Sequence, residues 1–309
     1  MVSVLFIGGL GRSGTTLLER LLGELPGVTP LGEVVHLWRR DVQHDERCAC
    51  GRPFSRCPFW TAVGERAFGG WDALDLPRLL ALQSAVDRTR FIPRLAATSL
   101  PPDWRAAVAE YVGHYERVYA AAAELSGARV VIDSSKNASL AYCLRWSDAL
   151  DLKVLHLVRD ARGVAYSWTK QVARPESDGD TMTRYSPTRS ALLWDAHNAA
   201  FALLRRRGVA VRRLRYEKLL AAPGRTAASL ARWLGVPAEL GFLAGDGAAL
   251  LGPCHSAAGN PMRFTTGPVE LRRDDAWRTQ LPPAQRRLVA AMTAPLLGRY
   301  GYPLAAGRG

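Results

Sequence analysis

Val4-Leu-Phe-Ile-Gly-Gly-Leu-Gly-Arg-Ser-Gly-Thr-Thr-Leu-Leu18 decides the fold of this 309-residue chain. The apolar run Val2 to Ile7 reads as a buried strand that ends on glycine. A glycine-rich turn follows over residues 9–16. Leu17, Leu18, Leu21 and Leu22 then recur at helical spacing, until Pro26-Gly27 stops the helix. Strand, glycine turn and helix start together make an anion cradle, because backbone N–H groups and the helix dipole converge there. The stretch nearly fits the triphosphate loop G-x-x-x-x-G-K-[ST]. Gly9, Gly14 and Thr16 match, but Thr15 stands where the lysine belongs, and the cation comes earlier, at Arg12. A group carrier without a γ-phosphate tolerates that change better than a kinase does. The planar fork of Arg12 suits a pair of phosphate or sulfonate oxygens.

Working outward, short apolar runs alternate with helical patterns, which predicts an α/β fold. Strands are expected at 129–133, 152–158 and 209–214, with helices after each. Residues 72–125 carry helical periodicity broken near Pro93 and Pro101-Pro102. They are read as a helical cap over the site, within an inserted region of approximately 60–125. Residues 174–187 are polar and predict a mobile loop, and 245–268 are glycine-rich and read as irregular. No repeat or linker divides the chain, so one domain over 1–309 is expected. The segments 9–16, 133–136, 159–167 and 215–217 each follow an expected strand. The carboxyl ends of parallel strands are where such folds bind ligands, so the four point to one site.

Composition narrows the chemistry. The net charge of +13 comes from 41 Lys and Arg against 28 Asp and Glu. It fits an anionic partner, but the basic residues are dispersed, and the tightest run, Arg205-Arg206-Arg207, ends a helix where cations complement the dipole. No nucleic-acid stripe is needed. The six histidines form no H-E-x-x-H pattern. No run reaches the roughly 20 apolar residues of a membrane span, and a cytoplasmic setting is expected. Three of five cysteines cluster in His44-x3-Cys48-Ala-Cys50-x6-Cys57. A metal site with His44 as fourth ligand, a disulfide and plain thiols are the three readings. The C-x-C spacing departs from the usual knuckle, and an odd total argues against a disulfide framework, so plain thiols are expected.

With these segments in view, the chain resembles the sulfotransferases that use 3′-phosphoadenosine 5′-phosphosulfate, nearer the bacterial, carbohydrate and tyrosylprotein branches. The matching stretches are Gly11-Arg-Ser-Gly-Thr-Thr-Leu-Leu18, Leu157-Val-Arg-Asp-Ala-Arg-Gly-Val-Ala-Tyr-Ser167, Leu214-Arg-Tyr-Glu-Lys-Leu219 and Gly259-Asn-Pro-Met-Arg-Phe264. The resemblance implies a P-loop-like three-layer fold with a central parallel sheet. It implies that Gly11, Arg12, Ser13, Gly14, Thr15 and Thr16 hold the 5′-phosphosulfate, and that Arg159 and Ser167 bind the 3′-phosphate. Tyr216 would meet the adenine, and Asn260 and Arg263 would add contacts from a covering segment. Lys136 would meet the oxygen that bridges the sulfuryl group and the leaving phosphate. Glu33 stands where those branches keep their base, although a helix-capping role fits its position too. A desolvated cleft that raises the Glu33 pKa is the expected setting. His255 is a second candidate base. The implied reaction moves a sulfuryl group to a hydroxyl of a small molecule, carbohydrate or lipid, with 3′-phosphoadenosine 5′-phosphate as product and no metal required. A P-loop kinase-like phosphotransferase, with Asp133 as its Mg²⁺ acid, and a non-catalytic nucleotide-binding protein are the alternatives.

Overall fold

The computed structural model describes residues 1–174, 176, 181–245 and 247–304. Five parallel strands form the central sheet: β1 (Val2–Gly8), β2 (Val28–Pro30), β3 (Val130–Lys136), β4 (Leu150–Val158) and β5 (Ala210–Arg215), in the order β2-β3-β1-β4-β5. β1 lies at the centre, and its side chains alternate between the two faces. Val4 and Phe6 enter one core, and Leu5 and Ile7 enter the other. Burial on both faces explains the unbroken apolar run in its sequence.

Helices cover both faces of the sheet. α1 (Thr15–Gly23) follows the glycine turn. Next come α2 (Pro58–Phe68), α3 (Leu76–Val86), α4 (Ile92–Leu95) and the 25-residue α5 (Pro102–Ser126). α6 (Ala138–Leu144), α7 (Ala161–Thr169) and α8 (Pro187–Leu204) follow β3, β4 and the 174–187 segment. α9 (Tyr216–Ala221) and α10 (Pro223–Leu234) follow β5, and α11 (Trp277–Gln280), α12 (Pro283–Met292) and α13 (Ala294–Arg299) close the chain. Leu18, Leu21 and Leu22 of α1 share the Leu5–Ile7 core with Leu230 and Leu234 of α10. Trp60, Leu79, Tyr111, Tyr115 and Val118 of the 58–126 helices share the Val4–Phe6 core. These helices therefore flank the sheet.

Three local expectations are revised. The segment 245–268 is not wholly irregular. β6 (Leu243–Ala244), β7 (Ala248–Leu251) and β8 (Gly267–Glu270) form a small antiparallel sheet whose strands are too short to show a period in the sequence. β2 was hidden for the same reason, and its Pro30 sits on an edge strand, where the missing donor is tolerated. After Glu33, a single tight turn (Val34–His36) opens into a π-helical turn (Leu37–Gln43), where an ordinary helix was expected. Such wide turns concentrate at functional sites. Part of the loop expected at 174–187, namely 175 and 177–180, lies outside the described residues.

Candidate active site

A cavity of ≈ 740 Å³ opens at the carboxyl ends of β1, β3, β4 and β5. The local backbone at β1 explains its floor. Gly9 has φ 140, and a Cβ there would lie 2.4 Å from the Leu157 carbonyl oxygen. Gly14 has φ 90, and a Cβ would lie 2.6 Å from the Tyr216 ring. Gly14 also caps α1 without a side chain, so the orphan N–H groups of the first helical turn face the cavity beside Thr15 and Thr16. Two of the three non-glycine residues with left-handed φ among those described are Arg12 (72) and Lys136 (66). Backbone strain of this kind costs on the order of 1–3 kcal/mol each and concentrates where function requires it.

Gly11, Arg12, Gly14, Thr15, Thr16, Glu33, Lys136, Arg159, Ser167, Tyr216 and Asn260 all line the cavity. Three residues expected at the site do not: Ser13, Arg263 and His255, the second candidate base, whose Nδ1 instead lies 3.2 Å from Cys57 Sγ. Ser13 is buried inside the loop. Arg263 is buried, and its guanidinium donates to the carbonyls of Ser256 (3.0 Å) and Arg47 (2.8 Å), holding two loops together. Asn260 caps a short turn by accepting from the Met262 N–H (3.1 Å). The helices of 60–125, expected as a cap, contribute no lining residue. Trp60, Phe91 and Trp104 pack in or against the core and Trp71 donates to the Trp60 carbonyl at 2.9 Å. The expected loop does contribute, through Arg174, Thr181, Met182, Thr183 and Tyr185.

The charges are arranged unequally. Arg12 keeps its Nε and Nη2 buried with no hydrogen-bond partner among the described residues, and its guanidinium lies 5.3 Å from the Trp168 ring centroid. Burial lowers its pKa, partly offset by Glu33. Arg159 lies over the Tyr216 ring, 4.8 Å from its centroid, and donates to the carbonyls of Arg12 (3.1 Å) and Asp274 (2.8 Å). Its carboxylate partner is Asp274 at 3.3 Å. The neighbouring Asp160 instead caps α7 and pairs with Arg162 at 2.7 Å, so Arg162 is a buried structural cation and not a surface charge.

Glu33 and Lys136 form a direct ion pair, and His36 Nε2 lies 3.6 Å from the second Glu33 oxygen. Burial pushes the Glu33 carboxyl up, but the Lys136 cation outweighs it and holds the carboxyl below its ordinary value. The raised pKa expected for a base is thus reversed, because its neighbour is a cation and not an apolar wall. His36 itself is held neutral: burial, with Glu33 opposing, brings it down to about 4.

Several contributors escaped the sequence. Arg40, His197, Trp168 and Asp274 line the cavity from segments with no motif. His36 carried a signal, being one turn beyond Glu33. Glu19 is buried and binds three separate segments: it accepts from the Gly32 N–H (2.8 Å), the Ser134 hydroxyl (2.6 Å) and the Ser256 hydroxyl (2.9 Å). It thereby ties α1 to the approaches of Glu33 and Lys136. Asp133 is similarly committed, accepting from the Tyr119 hydroxyl (2.6 Å), the Ser135 N–H (2.8 Å) and the Ser135 hydroxyl.

Residues 5–51 match the sequence model described as "Sulfotransferase family". The whole chain is similar in fold to the sulfotransferase domain from the Synechococcus PCC 7002 olefin synthase. The TM-score is 0.56 at 22% identity, over 98% of this chain and 96% of that one. It is also similar in fold to the sulfotransferase domain from the curacin biosynthetic pathway, with TM-score 0.54, 18% identity and 99% of both chains covered. No curated protein sequence matches the chain. The segment that decides the fold carries the family's sequence signature, and the fold around it is that of sulfotransferase domains.

Proposed function

We propose that the enzyme transfers a sulfuryl group from 3′-phosphoadenosine 5′-phosphosulfate to a hydroxyl of a small-molecule, carbohydrate or lipid acceptor by direct in-line displacement. The observation that carries this reading is Arg12, which is half-buried, keeps its Nε and Nη2 buried without hydrogen-bond partners among the described residues, and is set in the strained turn of an anion cradle. Buried guanidinium nitrogens without hydrogen-bond partners are costly, so the site suits an anion that satisfies them on binding. Lys136 and Arg159 line the same cavity, against two lining carboxylates, Glu33 and Asp274.

The donor supplies an activated sulfur–oxygen bond to phosphate. The loop N–H groups, Arg12, Thr15 and Thr16 would hold its phosphosulfate end. Arg159 and Ser167 would hold the 3′-phosphate, with Arg159 exchanging Asp274 for it, and Tyr216 would take the adenine face. Glu33 is the base that accepts the hydroxyl proton. Lys136 neutralises charge on the departing phosphate oxygen, an interaction stronger in the transition state than before it. Donor binding draws Lys136 away from Glu33. The freed carboxylate then loses its stabilising cation and becomes the stronger base when the acceptor is in place.

The kinase reading has less support. Thr15 replaces the loop lysine, and Asp133, its candidate magnesium ligand, is buried, spends both oxygens on protein donors and does not line the cavity. Titration calorimetry with 3′-phosphoadenosine 5′-phosphate and with ATP–Mg²⁺ decides between them. Binding of the bisphosphate is expected, and tight ATP–Mg²⁺ binding without it would refute the proposal. Glu33→Gln should bind the bisphosphate as wild type does and lose roughly 10²–10⁴-fold in turnover. Unchanged turnover removes Glu33 as base. A binding-only protein would transfer no sulfate to any acceptor.

A further inference from the structure

The three clustered cysteines lie outside the cavity, and no step above uses them. Their tertiary partner is not His44, four residues upstream of Cys48, but His255, about two hundred residues downstream. Cys57 Sγ lies 3.6 Å from Cys48 Sγ, 3.8 Å from Cys50 Sγ and 3.2 Å from His255 Nδ1. His255 Nδ1 is 3.8 Å from Cys48 Sγ, and all four ligand atoms fall within 4.8 Å of one another. A tetrahedron with zinc–sulfur bonds of about 2.3 Å and a zinc–nitrogen bond of about 2.0 Å has edges of roughly 3.5–3.8 Å. The four atoms already approximate such a tetrahedron.

The surroundings hold the ligands in place. Gly51, with φ 85, turns the chain so that its N–H reaches the Cys48 carbonyl at 2.8 Å. Backbone N–H groups of Cys50 and Trp60 point at the sulfurs of Cys48 and Cys57, an arrangement that stabilises thiolates. The Phe59 ring stacks on the His255 imidazole at 5.2 Å, and Trp60 Nε1 donates to the His255 carbonyl at 2.7 Å. Cys48 and Cys57 are fully buried.

We propose that Cys48, Cys50, Cys57 and His255 bind one zinc ion in a closed, structural site. The thiols release their protons as the metal enters, and four protein ligands leave no position for a substrate. The ion would fasten the 44–60 loop to the segment 255–260. That segment supplies Ser256 to Glu19, and Gly259 and Asn260 to the cavity wall. The metal would therefore lie outside the cavity and support it through the wall.

The test uses the full chain, purified without chelator and assayed for metal by mass spectrometry. About one zinc per chain is expected. Exchange for Co²⁺ should give the intense visible bands of a tetrahedral site and a thiolate charge-transfer band in the near ultraviolet. His255→Ala should lose the metal, and His44→Ala should keep it in full. His255→Cys, which restores a fourth ligand, should also keep it and guards against misfolding of the alanine variant. Three results each overturn the proposal: wild-type protein free of zinc and without the cobalt charge-transfer band, a native mass lower by two hydrogens with a Cys48–Cys57 disulfide peptide, or full zinc retention in His255→Ala.

Discussion

Lys136 and Glu33 occupy each other in the free protein, and this pairing sets the behaviour of both. A carboxylate beside an ammonium stays ionised at lower pH than an isolated one. The acid limb of kcat/KM, which reports the free enzyme, should accordingly fall below the ordinary carboxylate range. Lys136→Met removes the cation and leaves the burial. The acid limb of its residual activity should move upward, because desolvation then acts unopposed. An unmoved limb would show that Glu33 is not the titrating base. Sequence could place Lys136 after its strand, and the resemblance singled out Glu33, but not their contact, since 103 positions separate them. That contact reversed the pKa direction expected for Glu33. Arg12 was more legible: its position in the glycine turn announced an anion, and the structure adds that its buried nitrogens lack partners.

At the scale of elements, the site depends on how α1 is joined to β3 and to the 255–260 segment. Glu19 makes that joint with three hydrogen bonds. Glu19→Ala leaves three buried donors unpaired and should cost roughly 2–4 kcal/mol of unfolding free energy, measured by urea denaturation. Glu19→Gln, which keeps the shape and one acceptor, should cost less. A loss under about 0.5 kcal/mol in the alanine variant, as for an ordinary surface change, would deny Glu19 this role. The elements themselves were unequally legible. β1, β3, β4 and β5 and the helices after them follow from continuous apolar runs with glycine or polar ends. β2 and β6 to β8 have two to four residues each, too few for a period to rise above chance.

At the scale of the whole molecule, His156 joins the sheet to the outer layers. It lies on β4, pairs with Asn198 of α8 at 2.7 Å, and packs against Phe201 and Tyr300. Burial lowers its pKa to about 4, with the Asn198 hydrogen bond opposing. The unfolded chain therefore binds more protons than the folded one between the ordinary histidine value and about 4. Stability from His156 is present above that window and is lost as pH falls through it, by about 2 kcal/mol between about pH 7 and about pH 5. Burial pushes Asp133 up to about 6 and Asp41 up to about 8, and these groups act in the opposite sense. The difference between wild type and His156→Gln isolates the histidine: the variant should lack this share of the pH dependence in chemical unfolding. Parallel curves for the two proteins would contradict it. The 309 residues by themselves determined the parallel α/β sheet, the anion cradle and most residues around it, because strand runs, glycine turns and helix starts are written locally in apolar order and backbone freedom. Tertiary structure alone decided that the 58–126 helices flank the sheet, that Arg263 turns away, that Glu33 meets Lys136 and that the cysteines gather around His255. Each of these is a contact between distant positions, fixed by which surfaces pack and which charges are left without water, and no local pattern encodes it.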